Sequence, residues 1–425
     1  MKLEITPTEY FSLASVTTKN TGIVKILITI DTHTQRTVTT QTVESLYCDL
    51  LLSGAGSYTR EEFLNEVNML GASIEVGVND GKTTFVLRST ATKCKKLLEL
   101  FGLLINEPEF STKELKRVKS TELNQLHQAK ENSKEIALDE LKNGFYGSSD
   151  RKYSYSIDEQ MAEVPKATVS SIKKHHQATI TGRWTCSIAA DQAIVTLFAK
   201  ELKKLKRTIV VSDAIHQPKP PKPSLSLENI PSRQNIDLSI GVPLPITRAH
   251  PDFIPLTFAV AVLGKWGGFA GRLMSTVREK EGLTYGIYGQ LEGFQSEEQG
   301  YFRIMTFFSP EKTVQGLTST FREIKKLYDS GVTQNEVDSF KTILTTQQSL
   351  VNDSFTRVLS DLHGYHCENF TIEEMEELKS SLGNVTRADI NRVIKTYLNP
   401  SQMSISGAGP TDKIQTAVKK WMAGK

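Results

Sequence analysis

The sequence predicts an α+β protein made of two homologous halves, each a mostly antiparallel sheet with helices on one face. Three observations favour this class. A chain of 425 residues is too long for one compact core. Strand and helix patterns are mixed without one-for-one alternation, which argues against a parallel sheet built from strand–helix–strand units. The second half of the chain also repeats patterns of the first, so we expect the same domain twice.

The strands are predicted by alternation of apolar and polar residues, because successive side chains of a strand point to opposite faces. Such alternation marks a pair of segments in each half, "GIVKILITID" and "KTTFVLRST" in the first, "IDLSIGVPL" and "GYFRIMTFF" in the second. Helical patterns of roughly 12–25 residues lie between the strands. The resulting mixture indicates antiparallel sheets packed against helices.

The repeat is best seen at helix starts. Ser111 and Glu114 have the spacing of a capping box, in which each residue bonds the backbone of the other, and Thr333 and Glu336 repeat it 222 positions later. A turn, an amphipathic helix and an alternating strand follow "VPKATV" near the end of the first half and "VTRADI" near the end of the second. These matches predict two copies of one fold.

A proline-rich segment separates the halves. "HQPKPPKPSLSLENIPS", residues 216–232, carries five of the fifteen prolines. Proline fixes φ and removes an amide donor, so we expect an extended linker here. The predicted domains are therefore 1–215 and 233–425, joined by a linker of 216–232. A cavity where two such domains meet is the expected place for a ligand.

Composition excludes some classes of protein. A net charge of +3 is small for this length, which argues against a dedicated nucleic-acid binder. The four cysteines show no C-x-x-C spacing, which fits a reduced protein without a disulfide framework. The sequence contains no run of about 18 apolar residues, so it predicts no membrane span. As written, the sequence predicts a soluble cytoplasmic protein; a targeting segment already removed would also allow the periplasm or the mitochondrion.

A glycine-rich segment precedes the sequence "REKEGLTY" in the second half. Glycine lets a backbone approach another chain closely. A phosphate-binding loop is excluded, because no G-K-[ST] follows the glycines. The glycines concerned are Gly264, Gly267, Gly268 and Gly271.

The first-half segment "TVESLYCDLLLSGAGSYTREEFLNEVNMLGASIEV", together with the repeat, resembles the pitrilysin/insulinase-type zinc peptidases, which include mitochondrial processing peptidase. The resemblance extends over essentially the whole chain. It implies the metallohydrolase fold of mitochondrial processing peptidase and LuxS, with the two halves forming half of a clamshell. It also implies that the glycine-rich segment helps to admit an extended substrate.

Active members of that family carry H-x-x-E-H on this helix. The two histidines bind Zn²⁺ and the Glu deprotonates the metal-bound water. When the chain is registered on Gly54, Ser45, Cys48 and Asp49 stand at these positions. Glu122 is the counterpart of the third zinc ligand, although taken alone it predicts an exposed helix residue. Two alternatives stay open for Cys48: a buried small apolar residue, or, with Asp49, part of a remodelled metal site.

The sequence "REKEGLTY" matches the family's R-E-K-x-G-L-x-Y, which carries an Arg and a Tyr that hold substrate. By this resemblance Arg278 grips a substrate carbonyl or carboxylate, and Tyr285 donates to the oxyanion of a tetrahedral intermediate. The competing interpretation pairs Arg278 with Glu281 and makes Tyr285 a half-buried strand residue. Tyr288 is expected on the opposite strand face from Tyr285.

Other histidines predict no metal site. His363, His366 and Cys367 have helical i, i+3, i+4 spacing, but they lie in the second half, and a structural role is favoured. His175 and His176 lie on a surface-like helix and are expected to be solvated.

Together these features predict a catalytically incomplete subunit of a heterodimeric zinc metallopeptidase. A homologous partner with H-x-x-E-H would hold the zinc, and this chain would hold no cofactor. It would bind peptide as an added β-strand and supply Arg278 and Tyr285 in trans. The alternatives are a structural scaffold like the core proteins of respiratory complex III, and a homodimeric peptide-binding protein.

Overall fold

A computed structural model describes residues 1–8, 11–18, 22–32, 35–205, 218–220, 222–264, 271–295 and 297–424. The chain forms two compact units. Unit 1 comprises Met1–Leu126, Tyr155–Ala214 and Gln348–Glu376. Unit 2 comprises His127–Ser154, Ile215–Gln347 and Glu377–Lys425. Each unit therefore includes one segment from the other half of the sequence.

The described β-strands are β1 Lys2–Pro7, β2 Ser12–Thr17, β3 Ile23–Asp31, β4 Gly54–Ala55, β5 Tyr58–Thr59, β6 Ser73–Asn79, β7 Lys82–Thr90, β8 Arg183–Ala190, β9 Leu225–Asn229, β10 Ile236–Pro243, β11 Ile287–Glu292, β12 Tyr301–Phe308 and β13 Ser404–Gly409. The described α-helices are α1 Val38–Leu51, α2 Arg60–Met69, α3 Cys94–Asn106, α4 Thr112–Ala129, α5 Ser133–Phe145, α6 Ile157–Glu163, α7 Val169–Ile180, α8 Gln192–Lys204, α9 Phe253–Gly264, α10 Thr313–Ser330, α11 Gln334–Val351, α12 Phe355–Cys367, α13 Ile372–Ser381, α14 Arg387–Tyr397 and α15 Gln415–Ala423. A π-helix spans Met274–Lys280, and short 3₁₀ turns are Val164–Lys166, Pro310–Lys312, Pro400–Gln402 and Thr411–Lys413.

The main sheet of unit 1 has the strand order β1-β2-β8-β3-β7-β6. All neighbours pair antiparallel except β2 and β8, which are parallel. One face is apolar because Ile26, Ile28 and Ile30 of β3 point into a core built with helices such as α1 and α3. Thr29 lies between them in sequence and points to the other face.

The sheet of unit 2 has the order β11-β12-β10-β13-β9, again antiparallel except for the parallel pair β13 and β9. Counted from β9, its five strands correspond to β2, β8, β3, β7 and β6 of unit 1. The strands have the same neighbours in both sheets and follow one another in the same order along the sequence. The parallel pair also lies at the same position. Ile236, Leu238 and Ile240 face its core. The predicted α+β class and the repeat are therefore confirmed.

The second face of each sheet carries a helix from the other half of the sequence, which the prediction of helices on one face did not include. In unit 1, α12 packs on β8, β2 and β3. His363 of this helix bonds Thr29, which lies on the face opposite the core. In unit 2, α5 packs on β13, β10 and β9, and Ser133 donates to Asp237 at 2.5 Å.

The segment predicted as a linker also takes part in the fold. Its residues 216, 217 and 221 lie outside the described residues, whereas Leu225–Asn229 forms β9, an edge strand of the second sheet. The limits 1–215 and 233–425 state where the repeat lies in the sequence, and they remain a proposal for the domain boundaries.

Candidate functional site

The positions that correspond to the zinc motif lie on α1 and α4. Ser45 and Glu122 are 77 residues apart in sequence, and the structure brings them together: Ser45 Oγ donates to Glu122 Oε1 at 2.7 Å. Glu122 is only 8% exposed, so its prediction as an exposed helix residue is wrong. Burial raises the pKa of this carboxyl, the Ser45 hydrogen bond opposes the rise, and Asp49 adds to it. The structure therefore brings two of the positions registered on the zinc motif into contact.

The donor set at this place does not suit Zn²⁺. Burial, with smaller effects of Asp49 and Glu44, raises the pKa of the Cys48 thiol to about 12, so it resists forming the thiolate that binds metal. Asp49 is exposed, and Ser45 offers a neutral hydroxyl. Across the part of the chain that the structure describes, no group of three His, Cys, Asp or Glu residues could hold a metal ion. These residues therefore do not support a zinc-dependent reaction.

His176 is buried in unit 1, so the prediction that it is solvated is wrong. It is 3% exposed and lies between the Tyr47 hydroxyl, 2.9 Å from Nδ1, and the Ile105 carbonyl, 2.9 Å from Nε2. His175 is partly buried, and its ring meets the Tyr47 ring edge-on at 5.0 Å. Burial lowers the pKa of both imidazoles, to about 4 for His175. Both histidines belong to the core side of α7.

His363 and His366 attach α12 to the sheet of unit 1. The His363 nitrogens lie 3.0 Å from Thr29 Oγ1 and 2.8 Å from Ser187 Oγ, and His366 Nε2 lies 2.6 Å from Ser12 Oγ. Burial lowers the pKa of His363 to about 3 and of His366 to about 4. These hydrogen bonds give the histidines the structural environment that the sequence favoured over a metal site.

Arg278 and Tyr285 come together at the end of the π-helix in unit 2. The guanidinium carbon of Arg278 lies 5.0 Å from the centroid of the Tyr285 ring, a cation–π geometry. Gly282, at φ +58°, ends the helical turn in a conformation that favours glycine, so the chain can reverse between the two residues. Glu281, the acid that the competing interpretation pairs with Arg278, forms an ion pair with Arg322.

Tyr285 is held by its backbone and exposed by its side chain. The side chains of Thr284 and Thr306 both donate to the Gly286 carbonyl, at 3.1 and 3.0 Å, which fixes the segment before β11. The Tyr285 side chain itself is 78% exposed, so it is not the half-buried strand residue of the competing interpretation. A large aromatic ring displayed in this way is available to a ligand.

Tyr288 does not lie apart from Tyr285 as the strand alternation predicted. Tyr285 precedes β11, which begins at Ile287, and both tyrosines line one cavity of about 340 Å³. The Tyr288 ring leans over Gly286, where an added Cβ would lie 3.0 Å from Tyr288 Cε2. Tyr288 is therefore part of the same site.

The glycine-rich segment is described only at its ends. Gly264 and Gly271 contact each other: a Cβ on Gly271, which has φ +129°, would lie 2.7 Å from Gly264 Cα. The two backbone segments are therefore too close together for a side chain on residue 271, so this position requires glycine. Gly267 and Gly268 lie outside the described residues.

The sequence reasoning missed the other residues of the cavity. Its floor includes Met305 and Phe307 of β12, which alternate with the core residues Ile304 and Phe308. The signal was present in "YFRIMTFF", because this strand is apolar at positions of both faces and not only of one.

Comparisons with known proteins agree with this architecture. The family model "Insulinase (Peptidase family M16)" matches residues 45–156, and the model "Peptidase M16 inactive domain" matches residues 175–344. A curated relative, the non-peptidase homolog YmxG of Helicobacter pylori, is 25% identical over 171 residues. That match spans 39% of this chain and 38% of the relative, so little more than a third of either protein is compared.

Solved structures share the fold over nearly the full chain. A peptidase M16 inactive domain from Pseudomonas fluorescens has a TM-score of 0.84 at 23% identity, with 97% of this chain and 99% of that chain covered. A Helicobacter pylori protease has a TM-score of 0.82 at 15% identity, with 96% and 99% covered. A conserved protein of Enterococcus faecalis V583 has a TM-score of 0.76 at 18% identity, with 94% and 96% covered.

Among the described residues, no helix is both long and apolar enough to span a bilayer. The two family models match successive parts of the chain, and together they cover well over half of it. These matches confirm the insulinase-type resemblance. The chain belongs to peptidase family M16, the insulinase family, and its residues 175–344 match that family's inactive domain.

Proposed function

We propose that this chain is a catalytically incomplete M16 subunit that binds an extended peptide and supplies Arg278 and Tyr285 to a homologous, zinc-bearing partner. The observation that carries the proposal is the Arg278–Tyr285 pair, with the Arg278 guanidinium 5.0 Å from a ring that is 78% exposed. A purely structural protein would gain nothing from displaying this ring. In this proposal the partner carries the zinc and the H-x-x-E-H motif. Both subunits act in solution, in the cytoplasm.

The two side chains suit different features of a peptide. The guanidinium of Arg278 presents donors in a fixed fork, which suits a carbonyl or carboxylate oxygen. The Tyr285 hydroxyl can donate one hydrogen bond, which is most valuable where negative charge develops on the attacked carbonyl. Neither group activates water, so hydrolysis requires the metal of another chain.

The sheet provides a place for the peptide backbone. β11 is the terminal strand of the unit 2 sheet, with β12 on one side, and Tyr285 lies two residues before it. A terminal strand leaves alternate N–H and C=O groups for pairing, and an extended peptide can bind there as an additional strand. A peptide in that position would pass Tyr285 as it leaves the strand.

Co-purification from the native source tests the partner directly. We expect the chain to be recovered with a homologous protein that contains H-x-x-E-H and about one zinc. The pair should cleave a fluorogenic peptide, and neither chain alone should do so. If the native complex contains no zinc-bearing homologue and wild-type and Arg278→Ala chains assemble alike, the structural scaffold is the better account. If the chain is recovered only with itself and binds peptide, it is the homodimeric peptide-binding protein.

A further inference from the structure

The cavity beside Tyr285 lies within unit 2, on the sheet face opposite the core. It measures about 340 Å³ and is lined by the first turn of α5, the beginning of β10, the terminal strand β11 with the residues just before it, and the neighbouring strand β12. Its lining includes Tyr285, Tyr288, Met305 and Phe307. A Phe or Trp side chain is smaller than this volume, so the cavity has room for one.

The floor of the cavity is apolar although it lies on the second face of the sheet. Tyr288 pairs with Met305 across β11 and β12, and Met305 pairs with Ser239 of β10. The side chains of Met305 and Phe307 are only partly buried. The helix on this face, α5, packs on β13, β10 and β9. Apolar groups left open in a concave place mark a ligand site.

Two charged residues of the lining, Arg303 and Asp237, hydrogen-bond to neighbouring side chains. The guanidinium of Arg303 binds Glu292 with two hydrogen bonds, 2.9 Å from Nε to Oε2 and 2.7 Å from Nη2 to Oε1. Asp237 accepts the Ser133 hydroxyl at 2.5 Å. Lys134, at the rim, is exposed to solvent. A charged ligand group would lose hydration in this cavity, where charges of both signs already lie nearby, whereas a neutral aromatic group has no such desolvation cost.

The corresponding strands of unit 1 show that this character is specific to unit 2. There the terminal strand β6 carries Glu75 and Gly77 on the face opposite the core, and β7 carries Thr84, Val86 and Arg88. Arg88 forms an ion pair with Glu75, and both side chains are about half exposed. This face of the repeated fold is mainly polar in unit 1, where Val86 is its apolar residue on β7, whereas in unit 2 it carries aromatic side chains and Met305.

We infer that the cavity is a specificity pocket for an aromatic side chain of an extended peptide that pairs with β11. This inference rests on the proposed function and names the class of peptide that it selects. A strand added beside β11 would direct every second side chain to the face of Tyr288. One of these side chains would enter between Tyr285, Tyr288 and Met305, and it would cover the exposed Tyr285 ring.

Methyl NMR of the full chain with ¹³C-methyl methionine tests the pocket without a partner subunit. The probe is N-acetyl-L-phenylalaninamide, compared with N-acetyl-L-alaninamide. We expect the phenylalanine probe to shift the Met305 methyl signal, assigned by Met305→Leu, and to leave Met69 of α2 unmoved. Met69 is a matched control because it is 84% exposed and belongs to unit 1. An unmoved Met305 signal, or equal shifts with both probes, overturns the inference.

Peptide binding then separates the pocket from the proposed function. A ten-residue peptide with one central Phe should bind about 10- to 100-fold more tightly than its Ala counterpart, because the side chain leaves water. Met305→Trp fills the pocket and should abolish this preference while the Ala peptide still binds. If both peptides bind equally and Arg278→Ala weakens both, the proposed function stands and the pocket is refuted. If the probe shifts Met305 but no peptide binds, the pocket takes only small aromatics, and both proposals fail.

Discussion

Lowering the pH from 7 to 5.5 should weaken the attachment of α12 to the unit 1 sheet. His363 and His366 are 8% and 4% exposed and serve as neutral hydrogen-bonding groups between α12 and the strands. Burial lowers their pKa values to about 3 and about 4, from 6.5 in an open chain. Below pH 6.5 the unfolded chain therefore binds protons that the folded chain excludes. The contribution of the two neutral histidines to the free energy of unfolding is fully present above that pH and decreases as the pH falls towards 4.

The size of the effect follows from the difference in protonation. For a histidine that titrates at 6.5 when unfolded and stays neutral when folded, the loss between pH 7 and 5.5 is about 1 kcal/mol. The two histidines together give about 2–3 kcal/mol. A unit of this size changes its midpoint by about 2–4 °C per kcal/mol, so these two histidines should lower the unfolding transition of unit 1 by roughly 5–10 °C. His175 and His176 of the same unit, whose pKa values burial also lowers, add to this decrease.

Differential scanning calorimetry at pH 7 and 5.5 measures this, with wild type compared with the double variant His363→Gln/His366→Gln. Glutamine keeps hydrogen-bonding groups but does not titrate, so the variant should lose the part of the pH dependence that His363 and His366 cause. Glu122, whose pKa is raised, acts in the opposite sense, and His175 and His176, whose pKa values are lowered, act in the same sense; all three are present in both proteins, so the comparison cancels them. His127→Gln, at an exposed position of α4, should behave like wild type. An equal pH dependence in wild type and the double variant would refute the assignment.

Three further results are expected. The wild-type chain should hold no stoichiometric zinc by elemental analysis. A variant in which S45H, C48E and D49H restore the family motif should bind about one zinc, and adding Glu122→Gln should abolish that binding. Glu298→Ala should lower the free energy of unfolding of unit 2, measured by thermal unfolding, by about 3–5 kcal/mol, because it leaves two buried cations without their carboxylate. Glu297→Ala, at an exposed position, should change it little. Gly271→Ala should destabilise the chain by more than about 1 kcal/mol in urea unfolding, while Gly102→Ala, in a helix with open space around it, should not.

Much of the fold could be predicted because two copies of one pattern support each other. The strand alternation around Ile26 and Ile240 predicts the same kind of sheet twice, and the structure repeats five strands in the same order. The exchange of α5 and α12 could not be predicted in this way. An amphipathic pattern shows that a helix has a face to bury, but it does not show which of two similar sheets receives it.

The candidate site was predictable where a motif fixes residues and not where packing decides. "REKEGLTY" identifies Arg278 and Tyr285, whose contact depends on the turn at Gly282. Strand periodicity misled for Tyr288, because Tyr285 precedes the strand and is free of its alternation. His176 was misjudged because two adjacent helix residues can differ in burial, and only the position of Tyr47 shows that this one points inward.

Turnover by the reconstituted pair after Tyr285→Phe tests the central claim most directly. The change removes one hydroxyl from an exposed ring and touches neither the partner's zinc nor the fold. Loss of one oxyanion donor typically costs about 10²–10³ in kcat, so we expect a decrease of that order with assembly and zinc content unchanged. Tyr328→Phe is the matched control, because its ring also lies beside a cation, Lys395, at 4.3 Å. A Tyr285→Phe complex that turns over at the wild-type rate would contradict the account, because the displayed tyrosine would then take no part in catalysis.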